Sequence, residues 1–515
     1  MTSRPSRLSP RRLAPLWPAA AGALTACGQA PLSLWPLALL GFAALMHEVL
    51  RAPTAGRAAR AGWLFGAGYF ALALCWIVEP FLVDIARHGW MAPFALLLMA
   101  AGLALFWGAA AGLAKRLAPQ GLAAALALSA ALTLAEALRG WIFTGFPWAL
   151  IGHALIPSPL LPLAALTGPH GLSLLLLLPA TLLGLALTPP AAARPRPLPL
   201  ALAALAFAAP LALALALPSR ALPPAEDAPL VRLVQPNAAQ REKWDPAHIP
   251  VFFGRLLDLT AAPAEGDRRP DLVVWPETSV PYLLNEGPAL TDVLAEAAQG
   301  SALAFGVQRR EGARYYNTLA LLDGNGTLAA TYDKHHLVPF GEYLPLSGMM
   351  GRVGIGALAA RYGTGYSPGP GARLLDLPRV GAALPLICYE AIFPRELRAA
   401  PNRPALLLQI TNDAWFGSFS GPYQHLAQAR LRAVEQGLPL IRAANTGISA
   451  LISADGAVLA QLPLNTAGHL DTALPPPSAP TPYSRLGDAP ALLFALLLLG
   501  LSALGGVHGF FRSRS

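Results

Sequence analysis

Three residues, Glu277, Lys334 and Cys388, combine reactive chemistry with an informative position. Each closes an apolar, strand-like run: Asp271-Leu272-Val273-Val274-Trp275-Pro276 precedes Glu277, Tyr332-Asp333 precedes Lys334, and Leu384-Pro385-Leu386-Ile387 precedes Cys388. A strand end can present a side chain to a cleft while the sheet holds it rigid. Cys388 is the only cysteine outside the long apolar stretches, and a lone thiol in an oxidising compartment is a liability unless it is buried or used. Glu277, partly desolvated at its strand end, is suited to take a thiol proton; a solvated turn residue before Thr278 and Ser279 is the competing role. Of the 37 basic residues only Lys115, Lys243 and Lys334 are lysines. Lysine in the polar block is therefore suggestive, because a compact ammonium steadies a developing oxyanion as a point charge. Together these groups would make an acyl-transfer site: thiolate attacks a carbonyl, carboxylate shuttles the proton, and ammonium stabilises the tetrahedral oxyanion. No metal is expected, since adjacent His335 and His336 on a strand would face opposite ways and no third ligand has suitable spacing. Three scattered cysteines also fit neither a disulfide framework nor a Cys-x-x-Cys zinc site.

The chain that must position these residues has 515 residues, 55% hydrophobic and 13% charged, with mean hydropathy +0.48. A soluble domain carries roughly 25% charged residues. Because 23 of the 28 acidic residues fall between positions 219 and 486, the chain divides into a membrane domain (1–218), a polar catalytic domain (219–486) and a C-terminal transmembrane helix with its tail (487–515). Spanning takes about 20 apolar residues, and eight stretches approach that: 13–28, 31–47, 62–83, 91–114, 121–138, 171–189, 199–217 and 489–510. Every second loop is basic, with Arg4 to Arg12, Arg51 to Arg60, Lys115-Arg116, Arg194 and Arg196, and Arg512 and Arg514 on one side. The positive-inside rule puts these loops and both termini in the cytoplasm and the polar block outside. The net charge of +9 therefore reports topology, and no nucleic-acid partner is expected. Leu24-Thr25-Ala26-Cys27 after Arg11-Arg12 has the look of a lipoprotein signal peptide. Its removal would leave an uneven loop count, and a retained first span is the reading adopted. Glu136 and Arg139, at the end of the fifth span, are either a functional pair or an interfacial ion pair.

From Pro229 the pattern changes to short β-rich runs alternating with helices. Strands are expected at 230–234, 271–275, 302–307, 318–322, 382–388, 406–411 and 448–452, and helices at 247–260, 289–299 and 424–436. This is a layered α/β pattern. Residues 343–370 exceed an ordinary connection. The segment around Tyr343, Leu344, Leu346, Met349, Met350, Val353, Ile355 and Leu358 is expected to dip toward lipid and gate access.

Val274-Trp275-Pro276-Glu277, Tyr332-Asp333-Lys334 and Ile387-Cys388-Tyr389-Glu390 resemble the Glu-Lys-Cys motifs of the nitrilase superfamily, in that superfamily's order. Added to these are His336 to Glu342 (HLVPFGE), Thr411 to Gly417 (TNDAWFG), Gln424-His425, Ala429 to Ala433 (ARLRA), Asn445 to Ile448 (NTGI) and Phe143 to Trp148 (FTGFPW). Together with the eight-span layout they are similar to the bacterial apolipoprotein N-acyltransferase family along essentially the whole chain, with no departure at the triad. The resemblance implies an α-β-β-α sandwich on the outer face of the inner membrane. It implies transfer of a fatty acyl chain from a phospholipid to the α-amino group of a diacylated lipoprotein cysteine. It further implies that Cys388 is the nucleophile, Glu277 the general base, Lys334 the oxyanion stabiliser and Glu342 a support. Tyr389, Glu390, Trp415 and Trp148 match positions the family uses near its site, and Met349 and Met350 are expected substrate contacts. A thioester is activated enough for an amine to displace it without any cofactor. A membrane-tethered amidase would keep the triad and use water as acceptor. A transporter would need paired ionisable residues at mid-membrane depth, and the expected spans have almost none.

Overall fold

The computed structural model describes residues 16–188, 196–219, 221–264, 266, 268–285, 288–345 and 365–512. Met349 and Met350, with most of the expected gating segment, lie outside the described residues. Two compact units divide between Pro218 and Ser219 and again between Arg485 and Leu486.

The first unit is helical: α1 Trp17–Ala26, α2 Trp35–Arg51, α3 Ala55–Ala73, α4 Ala92–Leu117, α5 Gly121–Arg139, α6 Ala164–Ala186 and α7 Pro197–Ala216, with Ala489–Arg512 from the chain's end. Among the described residues four helical segments are long and apolar enough to cross a membrane: Ile85–Leu117, Gly121–Arg139, Leu161–Ala186 and Pro197–Ala216. A fifth candidate, α3 with Cys75–Leu82, is bent by 63°. The first two expected spans become helices of only 10 and 17 residues, separated by a turn around Pro31. Small residues let α3 and α4 approach closely; a Cβ on Gly62 would lie 2.8 Å from the Trp107 carbonyl oxygen.

Glu136 and Arg139 are both buried, and both make hydrogen bonds beyond their ion pair. Arg139 Nη1 donates to the carbonyls of Phe146 (2.6 Å) and Trp148 (2.9 Å), while Nη2 bonds Glu136 at 2.9 Å. Glu136 also accepts from the Ile151 amide (2.7 Å) and the Trp107 indole (3.1 Å). The pair thus satisfies the backbone of a non-helical segment, as irregular backbone in an apolar setting requires.

The second unit holds two six-stranded sheets. The first runs in the order β12-β1-β2-β3-β4-β5 and the second β11-β10-β9-β8-β7-β6. The strands are β1 Leu230–Gln235, β2 Leu272–Val274, β3 Ala302–Glu311, β4 Arg314–Leu322, β5 Leu328–Asp333, β6 Leu375–Leu377, β7 Gly381–Ile387, β8 Leu406–Thr411, β9 Leu440–Ala444, β10 Ser449–Ile452, β11 Val458–Leu462 and β12 Gly468–Ala473. Side-chain alternation decides the layers. Val231, Leu233, Leu272 and Val274 meet Leu406, Leu408 and Ile410 between the sheets. The opposite faces, Val273, Leu303 and Phe305 on one sheet and Leu407 and Leu440 on the other, take helices Ile249–Ala261 and Pro288–Ala298 and helix Gly421–Gln436 respectively. The result is the expected α-β-β-α sandwich.

Strands β1-β2-β3 and β7-β8-β9 are parallel, so their C-terminal ends share one edge in each sheet, where open α/β sheets place their sites. On the outer strand pair, Arg232 opposes Asp471 and bonds it at 2.7 Å with both side chains at or below 3% exposure. Removing one partner of such a pair strands the other charge. Arg232→Met should therefore cost about 3–5 kcal/mol in denaturant unfolding of the detergent-solubilised protein. A loss under about 1 kcal/mol would show that Asp471 finds another partner.

Candidate active site

Glu277 lies three residues beyond β2, and Lys334 and Cys388 directly follow β5 and β7. The Glu277 segment is pinned to the neighbouring strand: Gly306 N donates to the Pro276 carbonyl at 3.2 Å and Ser279 N to the Gly306 carbonyl at 2.9 Å. Gly306 permits this approach, since a Cβ there would sit 2.6 Å from Glu277 Cα.

The three groups that carry charge converge. The Lys334 ammonium lies 2.9 Å from Glu342 Oε1 and 3.3 Å from Glu277 Oε1. Asn317 Nδ2, from β4, donates to the same two oxygens, at 2.7 Å to Glu277 and 3.1 Å to Glu342. The remaining oxygens accept backbone amides, Asn412 N on Glu277 (2.9 Å) and Val338 N on Glu342 (2.8 Å). Burial works against the Lys334 charge, but Glu342, Glu277 and Cys388 outweigh it and hold the ammonium well above its usual range. The lysine is therefore charged, and Glu277 is oriented as an acceptor.

Cys388 is 6% exposed and has φ +52°, a left-handed conformation costly for a residue with a Cβ. Burial pushes its thiol up, Glu277 and Asp413 add to the effect, and Lys334 and a hydrogen bond from Thr411 oppose it. The resting group is thus a thiol that needs a base at the moment of attack. Glu390, fully buried, accepts from the Ile387 amide (2.8 Å), the Tyr332 hydroxyl (3.0 Å) and the His335 amide (2.8 Å). It therefore caps the strand end that carries Cys388. Tyr389 is buried and packs edge-on to Phe393, whereas Trp415 is 39% exposed. Trp148 belongs to the other unit, buried against Trp76 and Phe146. His335 and His336 do not alternate as strand residues would, because β5 ends at Asp333; both rings bond Glu396.

Sequence reading missed Asn317, Asn412 and Lys243. An asparagine among the apolar residues of β4 was the available signal for the first. Lys243 is buried, donates to the Glu277 carbonyl at 3.4 Å, and is lowered to about 8 by burial against the pull of Glu277. Asp413, although buried, is held at about 2 by Arg442 and a hydrogen bond with His425, and it pairs with Arg442 behind Cys388, where burial and Arg442 push the His425 ring below its usual value. Among the described residues no group of three or more His, Cys, Asp or Glu side chains is arranged for a metal ion.

A paired carboxylate and ammonium beside a strand-end thiol, in a chain whose other unit is apolar helices, define a membrane-embedded enzyme with a carbon–nitrogen hydrolase catalytic unit. Residues 230–479 match the carbon–nitrogen hydrolase profile, and residues 21–182 match that of the apolipoprotein N-acyltransferase N-terminal domain. The apolipoprotein N-acyltransferase of Brucella suis is 42% identical over 462 residues, covering 86% of this chain and 85% of that one. The Rhodopseudomonas palustris apolipoprotein N-acyltransferase is 38% identical over 507 residues, covering 94% of each. A solved amidase from Nesterenkonia sp. is 23% identical, with a TM-score of 0.37 over 49% of this chain and 92% of that one. The chain belongs to the apolipoprotein N-acyltransferase family, and it is an N-acyltransferase.

A thiol raised by burial gains thiolate roughly tenfold per pH unit below its pKa. Alkylation of Cys388 by iodoacetamide, followed by peptide mass spectrometry, should climb about tenfold per unit from pH 7 to 9. A plateau inside that range would mean a thiol already ionised near neutrality.

Proposed function

We propose that the protein transfers a fatty acyl chain from a membrane phospholipid, phosphatidylethanolamine in particular, to the α-amino group of the S-diacylglyceryl cysteine of apolipoproteins, the last step of bacterial lipoprotein maturation. The observation that carries this reading is the buried Glu277–Lys334–Glu342 cluster within electrostatic reach of the Cys388 thiol. Glu277 takes the thiol proton as Sγ attacks the ester carbonyl, and the Lys334 ammonium neutralises the oxyanion. Collapse breaks the ester C–O bond, and Glu277 returns the proton to the departing lysophospholipid oxygen. The thioester on Cys388 then meets the lipoprotein amine, whose attack forms the amide, expels the thiolate and sends the amine proton through Glu277 back to sulfur. Glu342 and Glu390 support the site. Tyr389 supports the site with them, and Trp415, Trp148, Met349 and Met350 contact the substrates.

Both substrates are held by acyl chains, which requires a catalytic domain (219–486) tethered to the bilayer by a membrane domain (1–218) and a C-terminal helix (487–515). Alternate basic loops support eight spans in the inner membrane, with both termini cytoplasmic and the catalytic domain periplasmic.

Intact-mass spectrometry of lipid-reconstituted protein exposed to phosphatidylethanolamine should show one added acyl mass on the wild type and none on Cys388→Ala. Glu277→Gln should lower the rate of adduct formation by about 10²–10⁴-fold. A diacylated lipopeptide with a free amine should discharge the adduct. Discharge by water alone would make the protein a tethered hydrolase, and a wild type that never acylates would remove Cys388 as nucleophile.

A further inference from the structure

The acyl-transfer chemistry makes no use of the His335-His336 pair, yet His335 occupies an unusual position. Its Nδ1 lies 2.8 Å from Glu390 Oε1 and its Nε2 lies 2.8 Å from Glu396 Oε2. Both nitrogens face carboxylate oxygens, an arrangement satisfied when each carries a proton. The Tyr332 hydroxyl, 2.8 Å from Nδ1, sits 3.0 Å from both Glu390 oxygens and sends its proton to them. Burial opposes a charge on the ring, but the hydrogen bonds to Glu390 and Glu396 prevail and raise it to about 10. Glu396 is correspondingly held far below the usual carboxylate range, although its own burial works the other way.

Glu390 links this histidine to the reaction. Its carboxylate grips the Ile387 amide at 2.8 Å, one residue before the left-handed Cys388. Such a conformation persists only where the surroundings over-determine it. Glu390 also accepts the His335 and His336 amides, at 2.8 and 3.3 Å, so the chain after Lys334 and the chain before Cys388 meet on one carboxylate. The His335 ring fixes that carboxylate from the side and anchors it on Glu396, in the helix Pro394–Arg398 that follows the nucleophile turn.

We propose that His335 is a positioning residue for acyl transfer: its imidazolium, braced on Glu396, holds Glu390 against the Ile387 amide and so fixes the backbone that aims the Cys388 thiol. The inference rests on Cys388 being the nucleophile. Misplacing a reacting atom by about 1 Å costs on the order of 10²-fold in rate. The half-saturating phosphatidylethanolamine fraction should be unchanged.

The test is the time course of acyl-enzyme formation by intact mass on full-length protein in nanodiscs containing phosphatidylethanolamine, for wild type, His335→Phe and His335→Asn. His335→Phe should acylate about 10²-fold more slowly, with the final adduct stoichiometry and the half-saturating phospholipid fraction unchanged. His335→Asn should recover about tenfold of that loss, because its carboxamide N–H stands where Nδ1 does and still donates to Glu390. A wild-type rate in His335→Phe overturns the proposal. So does an unchanged rate constant with reduced stoichiometry, the mark of lost folding alone. If His335→Phe does not fold, His335→Asn decides: a fall of about tenfold at full stoichiometry supports the role, and a wild-type rate refutes it. A wild type that forms no adduct overturns the Cys388 assignment and this inference with it, a result distinct from an acylating wild type beside an unaffected variant.

Discussion

One buried ammonium between two carboxylates is the constraint on which the catalytic unit is built. Glu277 and Glu342 turn one oxygen each toward the same point, and only the Lys334 charge, 3.3 and 2.9 Å away, makes that tolerable in a site nearly closed to water. The amide of Asn317 shares the task, and backbone amides take the outer oxygens. The groups that hold this cluster come from within β4 and from the segments that follow β2, β5 and β8, so the two sheets must pack in one register for it to exist. Satisfying the charges and aligning the sheets are therefore the same requirement.

The thiol is governed by the same field with the opposite result. Burial and Glu277 keep Cys388 protonated at rest, while Lys334 lowers the cost of ionising it. A thiol that stays protonated until a base and an electrophile are in place fits the proposed acyl transfer, because it is not spent on other reactions. Its strained backbone is held by Glu390 on one side, with the Asp413–Arg442 ion pair and the His425 ring packed behind it.

The membrane unit uses the same logic with different residues. Glu136 and Arg139 place two opposite charges where neither meets bulk water, and together they satisfy carbonyls and amides of the segment from Phe146 to Ile151. A buried ion pair of this kind is weak evidence for stability, and its contribution here is to let a non-helical backbone exist in an apolar setting.

Local chemistry was legible in the sequence wherever a residue's meaning is set by its own strand. Apolar runs ending in Glu277, Lys334 and Cys388 announced the triad candidates, and the concentration of acidic residues announced the polar block. Strand β9 went unread because its central Arg442 breaks the apolar pattern, and only the partner Asp413, 29 residues away, explains its burial. Edge strands β11 and β12 are half-buried and lack a continuous apolar signal. The short helices Trp17–Ala26 and Trp35–Arg51 show that apolar composition alone does not set helix length when prolines intervene. Composition and periodicity are properties of neighbours along the chain, so they determined which segments are buried and which carry reactive groups. Asn317 between two carboxylates, His335 between two others, and Lys243 beneath Glu277 are pairings of residues distant in sequence. Only the packed sheets decided those, because a charge acquires its partner from space and not from the residues beside it.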